Sequence, residues 1–258
     1  MIFSDYIFSI GKEHKVCEDY VIVDNEKIPM IIVSDGCSSS DFSDIGARLL
    51  SFNAKRFIQE HFLSLISNKE YVKEIFQQTF LYNKAISLNE KSLDCTLLFA
   101  FIYKEELHYF VIGDGIVNYK KNNQVFTQNF SFKDEKVFYG NYFNNVSRLD
   151  FYYQNNLSLK IENISSENNE VFETKDYIYY NSLNINELDY FFLSTDGLLS
   201  CSSDTVTSKK IFFEFLDFKN LKGEFIQRRY KNWVKKINKE GINHADDIGI
   251  AGFSFFKE

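Results

Sequence analysis

The chain has 258 residues, 45% apolar and 17% aromatic, with 28 Phe, 16 Tyr and a single Pro, which is ample for a core and not the composition of a disordered chain. Its net charge of −7 and pI near 5.3 argue against a general grip on nucleic acid or on an anionic membrane surface. No apolar run reaches membrane-span length, the N-terminus lacks a signal peptide's basic start and cleavage site, and the four scattered Cys form no C-x-x-C pair; the expectation is a cytoplasmic protein with reduced thiols.

Strands are expected over residues 1–10, 19–23 and 29–35. The last, PMIIVSD, is almost wholly apolar before Ser34 and reads as a central strand buried on both faces. After the polar loop CSSSDFSD, Ser43 or Asp44 is expected to cap a helix from about Ile45, with Ile45, Leu49, Phe52, Phe57 and Ile58 near helical spacing. A second helix is predicted over residues 71–86, its buried stripe made of Val72, Ile75, Phe76, Phe80 and Ala85.

Residues 95–103, 107–113 and 116–121 then read as an antiparallel meander, with a hairpin turn at Lys121-Asn122-Asn123-Gln124. Residues 128–148 show no clear period and read as a loop or flap. Strands are expected at 150–154, 157–164, 171–180 and 187–197, helices at 208–216 and 221–239, and a last strand at 248–256. Helices arriving in pairs between runs of strands do not give alternating βαβ units. The expected class is α+β: two mainly antiparallel sheets packed together with a helix pair on each outer face, a four-layer α/β/β/α sandwich. No linker or repeat divides the chain, so residues 1–258 read as one domain.

The chemistry lies in the acids that end or open apolar runs. Glu18-Asp19 precedes YVIV, and Asp246-Asp247 precedes IGIAGF; Asp35-Gly36, Asp114-Gly115 and Asp196-Gly197 each close a strand. One Asp-Gly is usually a turn. Several in one chain gather hard oxygen donors at one edge of a β scaffold, which suits a divalent cation.

These pieces have an order. The chain reads His14-Lys15-Val16-Cys17-Glu18-Asp19, then Asp35-Gly36-Cys37-Ser38-Ser39 running on to Asp44-Ile45-Gly46-Ala47. Asp94-Cys95-Thr96, Gly113-Asp114-Gly115, Ser194-Thr195-Asp196-Gly197 and Asp246-Asp247-Ile248 follow. In this order the motifs resemble those of the metal-dependent protein phosphatases of type 2C, the PPM family, from residue 14 to residue 248.

The resemblance implies a serine/threonine phosphatase that hydrolyses phosphomonoesters with water activated by two Mn²⁺ or Mg²⁺ ions. It assigns the bridging carboxylate to Asp35, with the Gly36 carbonyl beside it. Asp196 and Asp246 would hold one ion from the far side, and Asp114 with Asp196 a weaker third. Glu18 would act through metal-bound water, with Asp19 behind it; Asp247 would be structural. The implied partners are phosphorylated proteins, substrates of a Ser/Thr kinase, met by a monomer without nucleic acid or membrane.

Two positions depart from the pattern. His14 stands where the family has its phosphate-binding Arg, and Cys37 where it often has a general-acid His. They leave an alternative, a weak or inactive phosphatase fold serving as a regulatory or binding module. The catalytic set expected here is Asp35, His14 and Glu18. Asp94 reads as a strand-entry residue, His61 and His108 as structural or surface residues and His244 as a surface residue. Arg228, Arg229, Lys231, Lys235 and Lys236 read as the wet face of a helix around Trp233.

Overall fold

The computed structural model describes residues 1–165, 169–202 and 208–256. Strands β1 (Ile2–Ser9), β2 (Tyr20–Asp24) and β3 (Met30–Ser34) lead into helices α1 (Ser43–Ser67) and α2 (Val72–Ala85). Strands β4 (Leu97–Tyr103), β5 (Glu106–Ile112), β6 (Gly115–Lys121) and β7 (Gln124–Phe132) precede α3 (Val146–Gln154). Then come β8 (Leu159–Ser165), β9 (Asn169–Thr174), β10 (Tyr179–Asn184), β11 (Leu188–Ser194) and β12 (Cys201–Ser202). Helices α4 (Ser208–Phe215) and α5 (Phe225–Lys239) are followed by β13 (Asn243–His244) and β14 (Ile248–Phe255).

Seven strands form one sheet in the order β1-β14-β11-β6-β7-β8-β9, and five form the other, β10-β5-β4-β3-β2. Neighbouring strands are antiparallel throughout both sheets. Helices α1 and α2 cover the five-stranded sheet, and α4 and α5 the seven-stranded one, so the four-layer sandwich is present. β3 is buried along its whole length between β2 and β4, as its unbroken apolar run predicts.

One core fills the space between the sheets and under α1 and α2, with Phe57, Phe99, Phe101, Phe110 and Phe191 fully enclosed. A second lies under α4 and α5, where Ile116, Phe192, Phe215, Ile226, Trp233 and Ile250 meet. Each such Phe contributes roughly 1.5–3 kcal/mol by leaving water. That surplus lets the sheet ends carry charge.

The expected meander is broken. β4 and β5 pair in one sheet, but β6 crosses into the other. The crossing is made at Gly113-Asp114-Gly115, where both glycines have positive φ, +103° and +136°. Few other residues adopt such angles without strain, so Asp114 is fixed at a corner between the sheets. The Asn122-Asn123 turn is as expected, with φ of 51° and 65°, the twist that a tight hairpin needs.

Other expectations fail. Residues 150–154, expected as a strand, form the end of α3, capped by the Asn145 side chain on the Arg148 amide. The supposed loop 128–148 begins as β7, continues through short 3₁₀ turns and ends in α3. The predicted strand 171–180 divides into β9 and β10, which belong to different sheets. α5 starts at Phe225 rather than 221, because Gly223 turns the chain with φ +56°. In α1 the buried stripe is Ala47, Leu50, Ala54, Phe57 and Ile58, while Ile45 and Phe52 are exposed. In α2, Thr79 and Asn83 are buried where Ala85 was expected, because Asn53 and Ser92 bond them.

Candidate metal centre

The centre lies where the ends of β3 and β11 and the starts of β2 and β14 converge. Asp35 continues β3 past its last paired residue. Its amide donates to Thr96 Oγ1 at 3.0 Å, its carbonyl accepts from Thr96 N at 2.8 Å, and Cys37 N donates to the Asp94 carbonyl at 2.9 Å. The Asp94-Cys95-Thr96 motif thus clamps the Asp35-Gly36-Cys37 turn through the backbone. The sequence does not reveal this role, because it reads Asp94 only as strand entry.

Ser43 was expected as a helix cap. Instead α1 starts at Ser43 with Phe42 in the left-handed region at its N-cap, and Ser43 Oγ donates to Glu18 Oε1 at 2.8 Å. Opposite, Thr195 Oγ1 donates to Asp19 Oδ2 at 2.8 Å and accepts from Gly249 N at 2.9 Å. Asp247 is 2% exposed, and its two oxygens accept from Gly11 N and Glu18 N at 2.7 and 2.6 Å. Its carboxylate ties the His14–Glu18 segment to β14. Asp246 beside it stays open, its side chain 43% exposed.

Charge repulsion shows which acids converge. Burial, then the charges of Asp19, Asp196, Asp114 and Asp246, push Asp35 well above the usual carboxylate range. Asp114 is pushed up to about 8 by burial and then by Asp196 and Asp246. Asp196 is pushed up to about 6 by burial and Asp246. Asp19 is raised too, chiefly by burial. Among the described residues no Lys or Arg forms an ion pair with Asp35, Asp114, Asp196 or Asp246. Converging hard-oxygen donors that lack a balancing cation fit a divalent metal.

The cationic group within reach is His14. Its Nε2 is 3.3 Å from Asp246 Oδ1, and its Nδ1 is 3.0 Å from Asp247 Oδ2 and 3.6 Å from Glu18 Oε2. Burial alone would lower its pKa, but the three carboxylates outweigh it and raise it. Among the described residues the donor atoms that gather most closely are those of His14, Glu18 and Asp247, all within 4.8 Å of one another. Asp247 was expected to be structural, and its two amide partners give it that work. His244 was expected on the surface; it is partly buried, with Nδ1 3.0 Å from the Asp246 carbonyl and Nε2 3.3 Å from Tyr230 Oη. His108 is a packed core residue, stacked on Phe101 and Tyr180.

Beside the centre, α3 and the turn before it line an open cleft of about 570 Å³ with Lys136, Tyr139, Tyr142, Arg148, Phe151 and Tyr152. The Tyr139 phenol is raised by burial and by the Cys37 sulfur next to it, which puts this cleft against the acidic loop. Arg148 is tied to Asp94 across 54 residues of sequence, and no local motif signals that pairing.

A solved bacterial serine phosphatase is 14% identical and superposes with a TM-score of 0.60, covering 100% of this chain and 99% of its own. The serine/threonine phosphatase Stp1 from Staphylococcus aureus is 12% identical with a TM-score of 0.60, covering 100% and 96%. The catalytic domain of the serine threonine protein phosphatase PstP, in complex with two manganese ions, is 12% identical with a TM-score of 0.50, covering 98% and 97%. At these identities the likeness concerns the fold. Among curated proteins no sequence matches. The Protein phosphatase 2C family profile matches residues 10–235, most of the chain and five of the six acidic motifs in full. The chain belongs to the protein phosphatase 2C family.

Proposed function

We propose that this protein is a working Mn²⁺- or Mg²⁺-dependent phosphoserine/phosphothreonine phosphatase, all of residues 1–258 serving as its catalytic domain. The observation that carries the reading is the convergence of Asp35, Asp114, Asp196 and Asp246 with no Lys or Arg to balance them. A binding module has no use for acids that repel one another at this cost.

In this reading Asp35, the Gly36 carbonyl, Asp196 and Asp246 hold two ions, the number in the manganese complex of the fold relative, and Asp114 with Asp196 holds a weaker third. Bound divalent ions supply an acidified water and neutralise phosphoryl oxygens. Glu18, steadied by Ser43, accepts hydrogen bonds from water at the edge of the site. Asp19 and Asp247 fix the loops. His14, when protonated, offers an N–H to a phosphoryl oxygen, a task a guanidinium performs with two parallel donors. The Tyr139–Arg148 cleft gives the chain flanking the phosphoresidue a place to lie. The substrates would be products of a Ser/Thr kinase, met by a monomer in the cytoplasm; the four free thiols suit that compartment.

A second reading, a regulatory module with little turnover, is favoured by His14, whose two ring nitrogens both face carboxylates. Hydrolysis of p-nitrophenyl phosphate with Mn²⁺, abolished by chelator and restored by excess Mn²⁺, is the expected result. No chelator-sensitive turnover at any metal concentration would give the second reading precedence.

A further inference from the structure

The charge of this chain is unevenly placed. Residues 208–240 hold ten Lys/Arg and four Asp/Glu, while the rest holds nineteen and thirty-two. A segment of net +6 therefore stands on a body of net −13. Much of it is α5, whose apolar side (Phe225, Ile226, Tyr230, Trp233 and Ile237) is spent in the core. The basic side is left outward.

At the N-terminal end of α5 this face becomes concave. A pocket of about 230 Å³ is lined by Lys219, Arg228, Arg229, Asn220 and Asn232, with Phe218 and Phe225 as walls and Asp217 as its one carboxylate. Arg228 is exposed, and its guanidinium is held in place by the carbonyls of Lys222, at 2.6 Å, and Asn220, at 3.3 Å. Arg229 is only partly exposed and gives its Nε–H to the Phe215 carbonyl at 2.8 Å. Burial lowers the Arg229 pKa in spite of Asp217 and Glu214 nearby. Among the described residues none of Lys219, Arg228 and Arg229 forms an ion pair within 4.0 Å. A partly desolvated guanidinium with no carboxylate in ion-pair contact is costly, and two positioned forks beside two amides supply what an incoming anion needs.

We propose that this pocket is a docking site for an acidic segment of a protein partner, whose Asp or Glu carboxylates take the places facing Arg228, Arg229 and Lys219. The site is separate from the metal centre. The pocket shares no lining residue with the acids of the centre: Arg229 turns to the Phe215 carbonyl, while its neighbour Tyr230 turns inward to His244. The partner's chemistry follows from the surroundings. A bilayer would need apolar side chains to insert, and those of α5 are buried. A long nucleic acid would overhang the patch onto the rest of a body whose formal net charge is −13 and be repelled. A short acidic peptide fits within the patch, and the same field steers it there.

The test uses the full chain and a fluorescein-labelled twelve-residue Asp/Glu-rich peptide without phosphate, read by anisotropy at low salt. Arg228→Glu should weaken binding tenfold or more, and Arg229→Gln severalfold. Lys235→Glu with Lys239→Glu, a larger charge change at the other end of the helix, should weaken it less than about threefold. Should Arg229→Gln unfold, the exposed Arg228 carries the test alone. p-Nitrophenyl phosphate turnover by Arg228→Glu should equal wild type. Because the peptide carries no phosphate, failure to bind speaks against the docking site, while failure to turn over speaks against the phosphatase reading. Equal losses in the two sets of variants would overturn the pocket, as would tighter binding of a single-stranded oligonucleotide or of phosphatidylserine vesicles.

Discussion

Arg148 places its two terminal nitrogens on the two oxygens of Asp94, at 2.7 and 2.6 Å, while its guanidinium lies 3.9 Å over the Tyr142 ring. Asp94 is almost wholly buried, and its backbone carbonyl holds the Cys37 amide. One ion pair therefore joins α3 and its cleft to the turn that presents Asp35. Breaking a buried pair strands a charge and costs about 3–5 kcal/mol. Arg148→Met should lose an amount near the lower end of that range, since Arg148 is itself partly exposed. Asp94→Asn in the same chain should recover much of it. Urea denaturation of the two single variants and the double variant measures the coupling; additive losses would mean that the pair holds nothing.

Gly197 meets the strand end opposite. A Cβ there would sit 1.6 Å from the Asp247 carbonyl oxygen, which no backbone tolerates. Gly197→Ala must push the Asp246-Asp247 turn away from β11. The expected cost is about 1–3 kcal/mol, with a loss of Mn²⁺ affinity larger than that of a surface control. Thermal unfolding and metal titration check the two effects separately; unchanged metal affinity would mean that the turn absorbs the shift.

Much of this site is legible in the sequence, and the limits are physical. Carboxylates at strand ends reveal themselves through Asp-Gly spelling, because the turn and the acid are neighbours in the chain. The layers follow from the apolar periods. By contrast, Asp94 with Arg148, and Tyr139 beside Cys37, are pairs made by tertiary folding, and nothing local marks them. Ser43 shows the same limit from the other side: its N-cap propensity is real, but Glu18 claims its hydroxyl. The 150–154 stretch has strand-like aromatics, yet Asn145 caps a helix and Tyr152 finds its place in the core.

The raised acids make a pH prediction for the metal-free protein. Asp114, at about 8 in the folded state, titrates near 3.9 when unfolded. The folded state thus holds the extra proton between those values. Its contribution to stability is complete below about pH 4 and is lost as pH rises toward 8. Asp196, at about 6, acts in the same direction over a narrower window, and so does the raised His14 above its unfolded value. Asp24, which the Lys55 ammonium holds low in spite of burial, acts only at the acid end. With chelator the melting temperature should fall between about pH 5 and 8, and Mn²⁺ should restore it most at the alkaline end. A flat profile would mean that the acids are not coupled in the folded state.

Asp35 is raised by burial and by the charges of Asp19, Asp196, Asp114 and Asp246. Asp35→Ala should abolish metal-dependent turnover, and it should raise the metal-free melting temperature near pH 8, because it relieves the repulsion from Asp19, Asp114, Asp196 and Asp246. Activity assays and melting curves on the same preparation suffice. Near-normal Mn²⁺-dependent turnover would remove Asp35 from the centre.

His14 gives the sharpest test of the chemistry. Its ring is within 3.0–3.6 Å of Asp247, Asp246 and Glu18, and in the metal-free protein these carboxylates stabilise the imidazolium against the opposing effect of burial. A divalent cation at Asp246 competes with that charge and favours the neutral ring, while a phosphate dianion draws the proton back. Substrate grip by His14 therefore weakens as pH rises through the imidazole range, near 6.5 when unperturbed. A guanidinium at this position keeps its charge throughout. His14→Arg should lower KM severalfold at about pH 8.5 and little at about pH 6, with kcat changed less than KM at both. Steady-state kinetics on p-nitrophenyl phosphate across that range decide the matter. KM profiles that superimpose would show that His14 serves only to balance its three carboxylates, and that the phosphate is gripped by other groups.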